Sequence, residues 1–136
     1  MTLRLPPKAR GELVEIRFLL QAAARGLVVA KPWGDNLPFD FVVGRGRRWL
    51  RVQVKSTMHR VYRGYQLITM HRSKGRGYTA RDTDFLAAYV IPDDAWYLIP
   101  VEAWTGKLAI VLFPRLRPTR GGRFEQYREA WDLLAG

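Results

Sequence analysis

The feature that most constrains the fold of this chain is a pair of apolar runs, residues 37–43 and 49–57, around a glycine-containing break at residues 44–46. Two such runs predict a β-hairpin with a slightly long or bulged turn. Because side chains alternate between the two faces of a strand, the polar and apolar positions of the second run fall on opposite faces. The polar face carries Arg51, Gln53, Lys55 and Thr57.

An aspartate, Asp40, lies inside the first run. Aspartate is poorly suited to a strand, and a buried carboxylate needs a partner or a ligand. If the register allows it, the Asp40 carboxylate, the Gln53 amide oxygen and the Lys55 ammonium converge on one patch of the sheet. The hairpin therefore predicts a polar site.

The length of 136 residues and the 48% content of hydrophobic residues predict a single globular domain, residues 1–136. The longest apolar run, residues 85–91, is too short to cross a bilayer, and the N-terminus lacks the apolar stretch of a signal peptide. We therefore expect a soluble, cytoplasmic protein with no membrane partner.

Several chemistries are excluded by residues that the chain lacks. It has no cysteine, so it has no disulfide, no thiolate zinc site and no cysteine nucleophile. Its two histidines, His59 and His71, have no metal-binding spacing, and no Gly-x-Ser-x-Gly motif supports acyl transfer by serine.

The formal net charge of +11 is unevenly distributed. Residues 41–81 contain no acidic residue, which is typical of a surface that binds nucleic acid or another polyanion. A merely solvated basic face is the alternative, and a membrane surface fits less well because the segment does not form a basic amphipathic helix. The basic loop of residues 71–78 lacks the Walker spacing and suits a flexible arm that grips a phosphate backbone. The predicted nucleic-acid-binding residues are Arg45, Arg47, Arg48, Arg51, Arg72, Lys74, Arg76 and Arg81.

A helix is predicted from Lys8 to Arg25, where Gly26 ends it. At 100° per residue one apolar arc predicts the face that packs on the core. The members of this arc are Leu13, Ile16, Leu19, Leu20, Ala23 and Ala24. Glu12 falls inside the arc and so needs a partner, unless it lies in solvent at the first helical turn, whereas Glu15 falls outside the arc and is expected to be solvated.

The remaining segments predict further strands and a closing helix. A short buried strand is expected at 27–30, further strands at 61–70 and 110–113, a second hairpin at 84–100, and a helical turn at 101–104. The helical spacing of the last apolar residues predicts a helix whose stripe packs on the core. These residues are Phe124, Tyr127, Ala130, Trp131 and Leu134.

The site residues also carry a family resemblance. Pro38-Phe39-Asp40, followed thirteen residues later by Gln53-Val54-Lys55 and preceded by Gly11-Glu12, resembles the PD-(D/E)XK nuclease superfamily. The likeness is greatest to its small bacterial endonucleases and to the homing endonucleases of group I introns, which use a Gln-x-Lys variant. Residues 78–89, 96–104 and 127–131 extend the resemblance over most of the chain.

The resemblance implies an α/β fold, a restriction-endonuclease-like mixed β-sheet flanked by helices, and a metal-dependent endonuclease acting on DNA. The implied ligands of Mg²⁺, or of Mn²⁺ as a substitute, are the side chains of Asp40, Gln53 and Glu12 and the Val54 carbonyl. Lys55 would hold or deprotonate the attacking water and stabilise the charge that develops on the phosphate. With its neutral amide, Gln53 is expected to weaken metal binding.

Two alternatives remain open from the sequence. One is a DNA-binding relative that no longer cleaves. The other is an RNA-binding or RNA-processing module, which the charge and exposed aromatic residues such as Tyr62 and Tyr65 would also suit. Because a duplex has two strands to cut, we expect a homo-oligomer, either a dimer or a tetramer.

Overall fold

The computed structural model of the protein describes residues 4–34, 36–71, 74–117 and 122–135. In these ranges the chain forms a central five-stranded sheet, a smaller three-stranded sheet, a two-stranded ribbon and two α-helices. The central strands, in the order in which they lie side by side, are β1 (Val28–Ala30), β2 (Phe41–Arg45), β3 (Arg48–Thr57), β8 (Phe85–Val90) and β9 (Ala95–Pro100). Only the pairing of β3 with β8 is parallel, so the sheet is mixed and the predicted α/β fold class is confirmed.

The predicted first hairpin is confirmed, but its turn is shorter than expected. β2 and β3 pair from Phe41↔Val52 to Arg45↔Arg48, so only Gly46 and Arg47 connect them. Gly46 supplies the positive φ of 69° that such a tight turn needs. Gly44, predicted in the turn, lies instead in β2, where a Cβ atom would come within 2.3 Å of the Arg48 carbonyl oxygen.

The first helix, α1 (Pro7–Ala24), packs on one face of the central sheet. The predicted apolar arc is wrong, since the helix buries Val14, Phe18 and Ala22 and leaves Ile16 and Leu20 exposed. The reason is that α1 has apolar residues on two sides, and contact with the sheet selects the stripe of residues four apart. β1 is likewise an edge strand with two exposed residues rather than the short buried strand expected.

The other face of the central sheet is covered by the smaller sheet. Its strands, in spatial order, are β10 (Ala109–Leu112), β5 (Gly64–Ile68) and β4 (Arg60–Val61). The strand predicted at 61–70 is thus divided: β4 and β5 form a tight hairpin, and β6 (Met70–His71) pairs with β7 (Arg76–Gly77). Tyr65 is buried there, 2% exposed, so it is not the surface aromatic residue that was expected.

The second predicted hairpin is confirmed as β8 and β9, joined by a 3-10 turn at Ile91–Asp93. The helical turn expected next is the 3-10 turn Val101–Ala103. The long closing helix was wrong: the structure has a 3-10 turn, Glu125–Tyr127, and then only α2 (Asp132–Ala135). Helical spacing fails there because Arg128 is extended and bridges to Tyr97, and the next residue has a positive φ.

None of the helices in the described ranges is long and apolar enough to cross a membrane.

Candidate active site

The position of Asp40 is determined by the hairpin that follows it. Its backbone N–H donates to the Val52 carbonyl at 2.9 Å, although Val52 is the strand partner of the next residue, Phe41. Its side-chain Oδ2 accepts a hydrogen bond from the Val54 N–H at 2.7 Å. The carboxylate is therefore held across the end of β2, against the middle of β3.

The register then places Gln53 and Lys55 beside Asp40. Asp40 directly precedes Phe41, the first residue of β2 to pair with β3, and it lines one cleft together with Gln53 and Lys55. Burial alternates along β3 as predicted, with Val52 and Val54 buried and Gln53 and Lys55 half-buried on the other face. The Asp40, Gln53 and Lys55 side chains therefore come together.

The Val54 carbonyl lies at the same place. In a strand the N–H and C=O of one residue point toward the same neighbour, and the Val54 N–H already points to Asp40. Beyond Asp40, β2 no longer covers this edge of β3. The Val54 carbonyl oxygen is thus available beside the Asp40 carboxylate.

The helix carboxylate at the site is Glu15 rather than Glu12. Glu15 lines the cleft together with Asp40, and its Oε1 accepts a hydrogen bond from the Lys31 ammonium at 2.9 Å. Lys31 also reaches the Asp40 backbone carbonyl at 3.5 Å, so it bridges α1 and the start of β2. Glu12 is exposed and is not part of the cleft wall.

This correction follows from the rotation of α1. The centre of the buried stripe, Val14, Phe18 and Ala22, lies about 60° from Glu15 and about 120° from Glu12 at 100° per residue. The i, i+4, i+8 spacing of that stripe is the sequence signal that could have identified Glu15. The predicted apolar arc contained more residues and therefore indicated a different face of the helix.

Burial perturbs the acid at the centre of the site. Desolvation raises the pKa of Asp40 from its usual 3.8 to about 6, the negative charge of Glu15 adds to the rise, and the Val54 hydrogen bond, Lys31 and Lys55 oppose it. Such a carboxyl group is half-protonated at about pH 6 and mostly ionised at pH 7. A bound cation would offset the cost of its charge.

The site residues line a cleft of about 820 Å³ between α1, β3 and the smaller sheet. The Lys55 Nζ lies 5.5 Å from the centroid of the buried Tyr78 ring, which packs at a tilt against His71 with the ring centroids 4.9 Å apart. In the described part of the chain, no three His, Cys, Asp or Glu side chains come together as a metal cluster. The hard oxygen donors at the cleft are instead two carboxylates, an amide and a carbonyl, from Glu15, Asp40, Gln53 and Val54.

The predicted nucleic-acid-binding residues divide into two groups. Arg47, Arg48, Lys74 and Arg81 are exposed, and Arg72 lies outside the described residues. Three others are tied to the protein itself, contrary to their expected availability to phosphates.

The contacts of these three arginines are specific. The Arg45 guanidinium donates to the Arg25 carbonyl at 2.8 Å. Arg51 binds Asp84 through two guanidinium nitrogens, at 3.1 and 3.0 Å. Arg76 binds Asp82, which lowers the pKa of that carboxyl group to about 2. Because Arg76 lies in β7, this ion pair holds that part of the predicted basic loop to the protein.

The mixed sheet, and the hairpin that brings Asp40 into one cleft with Gln53 and Lys55, are features that the nuclease resemblance implied. The chain belongs to the PD-(D/E)XK endonuclease family, which it matches over residues 5–134. The predicted resemblance is confirmed.

A solved structure agrees with this assignment. The chain is similar to a bacterial homing endonuclease, I-Ssp6803I, with 31% sequence identity and a TM-score of 0.79. The similarity covers 94% of this chain and 90% of that one. Among curated proteins, no sequence matches this chain.

Proposed function

We propose that the protein is a divalent-metal-dependent endonuclease that hydrolyses phosphodiester bonds in duplex or branched DNA, with Mg²⁺ as cofactor and Mn²⁺ as a substitute. The observation that carries the proposal is the Asp40 carboxylate. It is half-buried, held by the Val54 N–H, and lies in the same cleft as Gln53 and Lys55.

The donor set fits a hard cation. Mg²⁺ prefers oxygen ligands and uses only one or two carboxylates of the protein, and the cleft offers Asp40, Glu15, the Gln53 amide and the Val54 carbonyl. We therefore propose that Glu15, rather than Glu12, is the metal ligand on α1. When bound, the cation would supply Lewis acidity toward a phosphate oxygen and lower the pKa of a water molecule.

The Lys55 ammonium group is the positive charge that the chain itself brings to the cleft. Lys55 extends from the same face of β3 as Gln53, so its ammonium group reaches the space in front of Asp40. There it would orient the attacking water and stabilise negative charge that develops on the phosphate.

The charge distribution and the family support DNA as the substrate. The acid-free segment, residues 41–81, contributes Gln53, Lys55 and much of the opposite wall of the cleft. Exposed Arg47, Arg48, Lys74 and Arg81 remain the proposed phosphate contacts. Membership of an endonuclease family is consistent with this assignment.

We further propose that the protein acts as a homo-oligomer, with α1 at the interface. Ile16, Leu19 and Leu20 form an exposed apolar stripe on the side of α1 away from the sheet, 60, 40 and 66% exposed. A second copy of the chain would cover this stripe and place a second cleft on the same duplex.

The test is cleavage of supercoiled plasmid and of a randomised duplex pool with Mg²⁺, Mn²⁺ or EDTA. We expect wild type to cut with either metal and not with EDTA. Asp40→Asn, which preserves the shape of the side chain, should lose at least about a hundredfold in rate, as should Lys55→Ala. Asp132→Asn, an exposed carboxylate on α2, is the matched control and should cut like wild type.

Circular dichroism and thermal unfolding of each variant separate loss of chemistry from loss of fold. Cleavage in EDTA, or full activity of Asp40→Asn, would contradict the proposal. Binding without cleavage by a folded wild type would instead identify a relative that no longer cuts, and preference for an RNA stem-loop over duplex DNA would favour the RNA alternative.

A further inference from the structure

The hairpin of β4 and β5 ends in an exposed aromatic and cationic tip, Tyr62–Arg63. The Tyr62 side chain is 81% exposed, and the Arg63 guanidinium carbon lies 5.1 Å from its ring centroid. Arg60, at the base, lies over the Tyr65 ring at 5.6 Å. Neither guanidinium forms a salt bridge or a side-chain hydrogen bond with the part of the chain that the structure describes, so both remain available to a ligand.

The base of this hairpin is part of the cleft wall. The Gln66 N–H donates to the His59 carbonyl at 3.0 Å, and both residues line the cleft that contains Asp40. The tip is three residues beyond that pair, or roughly 10 Å at 3.3 Å per residue. The base is fixed, because Gly64 packs so closely on the Leu112 carbonyl that a Cβ atom would come within 2.6 Å of it.

The backbone conformation of Arg63 is energetically unfavourable for a residue other than glycine. Its φ is +63°, a left-handed conformation that glycine adopts without steric penalty. The other non-glycine residues described with positive φ, Asp94 and Glu129, have side chains that accept internal hydrogen bonds, from Tyr89 and from the Trp96 backbone. The two-residue turn between β4 and β5 requires this conformation, and no hydrogen bond of the Arg63 side chain to the described structure offsets its cost.

We propose that the Tyr62–Arg63 tip enters the major groove of the DNA and reads a base edge close to the cut, an inference that rests on the proposed DNA cleavage. A major groove about 12 Å wide admits a two-stranded β-ribbon, and the arginine fork matches the N7 and O6 acceptors of guanine. At 3.4 Å per base pair, the 10 Å between cleft and tip corresponds to about three base pairs. Arg63 is thus a specificity-determining residue, outside the chemistry of the cleft.

The experiment is cleavage of a duplex pool with randomised bases, followed by sequencing of the cut ends. Wild type is expected to show a base preference within about three to four base pairs of the cut. Arg63→Lys, which keeps the charge but loses the fork, and Arg63→Gly, which loses both, should each weaken that preference by about 5- to 150-fold at one position. Arg123→Lys, an exposed arginine outside the acid-free segment, is the control and should keep the wild-type pattern.

Thermal unfolding provides the second measurement. Arg63→Gly is expected to unfold at or above the wild-type temperature, because glycine removes the left-handed strain, so its lost preference would not be a folding defect. Identical preferences in wild type and both Arg63 variants would overturn the inference while leaving the proposed function intact. A pool that wild type leaves uncut with either metal would overturn the proposed function, and this inference with it.

Discussion

Two glutamates on α1 illustrate how one residue's orientation decides its chemistry. Glu12 and Glu15 are separated by three positions, yet only Glu15 lines the cleft, where Lys31 binds it at 2.9 Å. Its side chain is 28% exposed, whereas Glu12 is on the open side of the helix. The charge of Glu15 also contributes to the raised pKa of Asp40. Two anions so arranged favour a shared cation between them.

The pair provides a matched test of the metal ligands. We expect Mg²⁺ or Mn²⁺ to raise the unfolding temperature of wild type, because a cation that binds only the folded state stabilises it. Glu15→Gln should weaken metal affinity at least about tenfold, measured by calorimetry, because it removes one of two anionic ligands. Glu12→Gln should match wild type. Weaker binding by the Glu12 variant alone would restore Glu12 to the site.

A related charge change concerns Gln53. Gln53→Glu adds a carboxylate on the face that Asp40 shares, so in the Glu15→Gln background it should recover part of the lost affinity by restoring the total ligand charge. Strict additivity of the two changes would mean that Glu15 and Gln53 do not share a cation.

The raised pKa of Asp40 predicts a pH-dependent stability. A carboxyl group whose pKa rises on folding, here from 3.8 to about 6, stabilises the fold fully below pH 3.8, and this contribution is lost as the pH rises through about 6. The loss amounts to about 3 kcal/mol, at 1.36 kcal/mol per tenfold change in proton affinity. Denaturant unfolding of wild type and Asp40→Asn between pH 4 and 7.5, without metal, measures it.

The expected result is that Asp40→Asn gains stability relative to wild type as the pH rises across this window. Groups common to both proteins, including Asp82 with its lowered pKa, cancel in the comparison. If the free energies of unfolding of the two proteins changed in parallel with pH, the pKa of Asp40 would not be raised by folding. Added Mg²⁺ should reduce the difference at pH 7, because the cation binds the charged form.

At the scale of elements, α1 has two apolar sides with different roles. Val14, Phe18 and Ala22 are at most 1% exposed and join the core below the central sheet. Ile16 and Leu20 lie on the opposite side in solvent. A helix that is apolar on both sides is typical of one that is buried on both sides. This is the reason to place the subunit interface on α1.

The interface proposal predicts a change of mass. Wild type should scatter light as a multiple of the 15.7 kDa chain, whereas Ile16→Glu with Leu20→Glu should yield a folded 15.7 kDa monomer, because two charges cannot be buried at an apolar interface. The monomer should nick plasmid more than it linearises it.

The control is Leu108→Glu, a residue 52% exposed on the loop before β10. It should keep the wild-type mass. A wild type that is monomeric at assay concentrations, or a double variant with unchanged mass, would contradict the interface on α1.

At the scale of the whole molecule, some of the described basic residues form ion pairs within the fold and others are exposed to solvent without one. Ion pairs with Asp84, Asp82 and Asp93 engage Arg51, Arg76 and Arg115, at 3.0 Å in each case. Exposed arginines such as Arg47 and Arg48, at the turn between β2 and β3, have no ion pair in the described structure. The electrostatic attraction of DNA should therefore come from such unpaired cations more than from the total charge of +11.

Salt dependence tests this division. Duplex affinity should fall steeply with salt, and log K against log[salt] should have a slope of about −0.9 for each phosphate neutralised. Replacing Arg47 and Arg48 by serine should flatten the slope by about two units. The control, Arg115→Ser with Arg117→Ser, removes the same charge outside the acid-free segment and should leave the slope nearly unchanged. Equal flattening by both pairs would mean that net charge alone drives binding.

The sequence by itself determined the hairpin and the convergence of Asp40, Gln53 and Lys55. Strand alternation and the turn are local properties, so the pairing of β2 with β3 that brings Asp40 beside Gln53 is encoded within about twenty residues. The same local signals gave the extent of α1 and the second hairpin. Together they were sufficient to indicate the family.

Only the tertiary structure decided the rest. The rotation of α1, and with it the choice of Glu15 over Glu12, depends on which apolar stripe fits the sheet, and α1 offered more than one. The engagement of Arg51 and Arg76 depends on carboxylates that strand pairing and turns bring to them, and the closing helix was cut short by the bridge from Tyr97 to Arg128. The physical reason is common to all three: spacing along the chain constrains neighbours in sequence, whereas burial and charge pairing are set by neighbours in space.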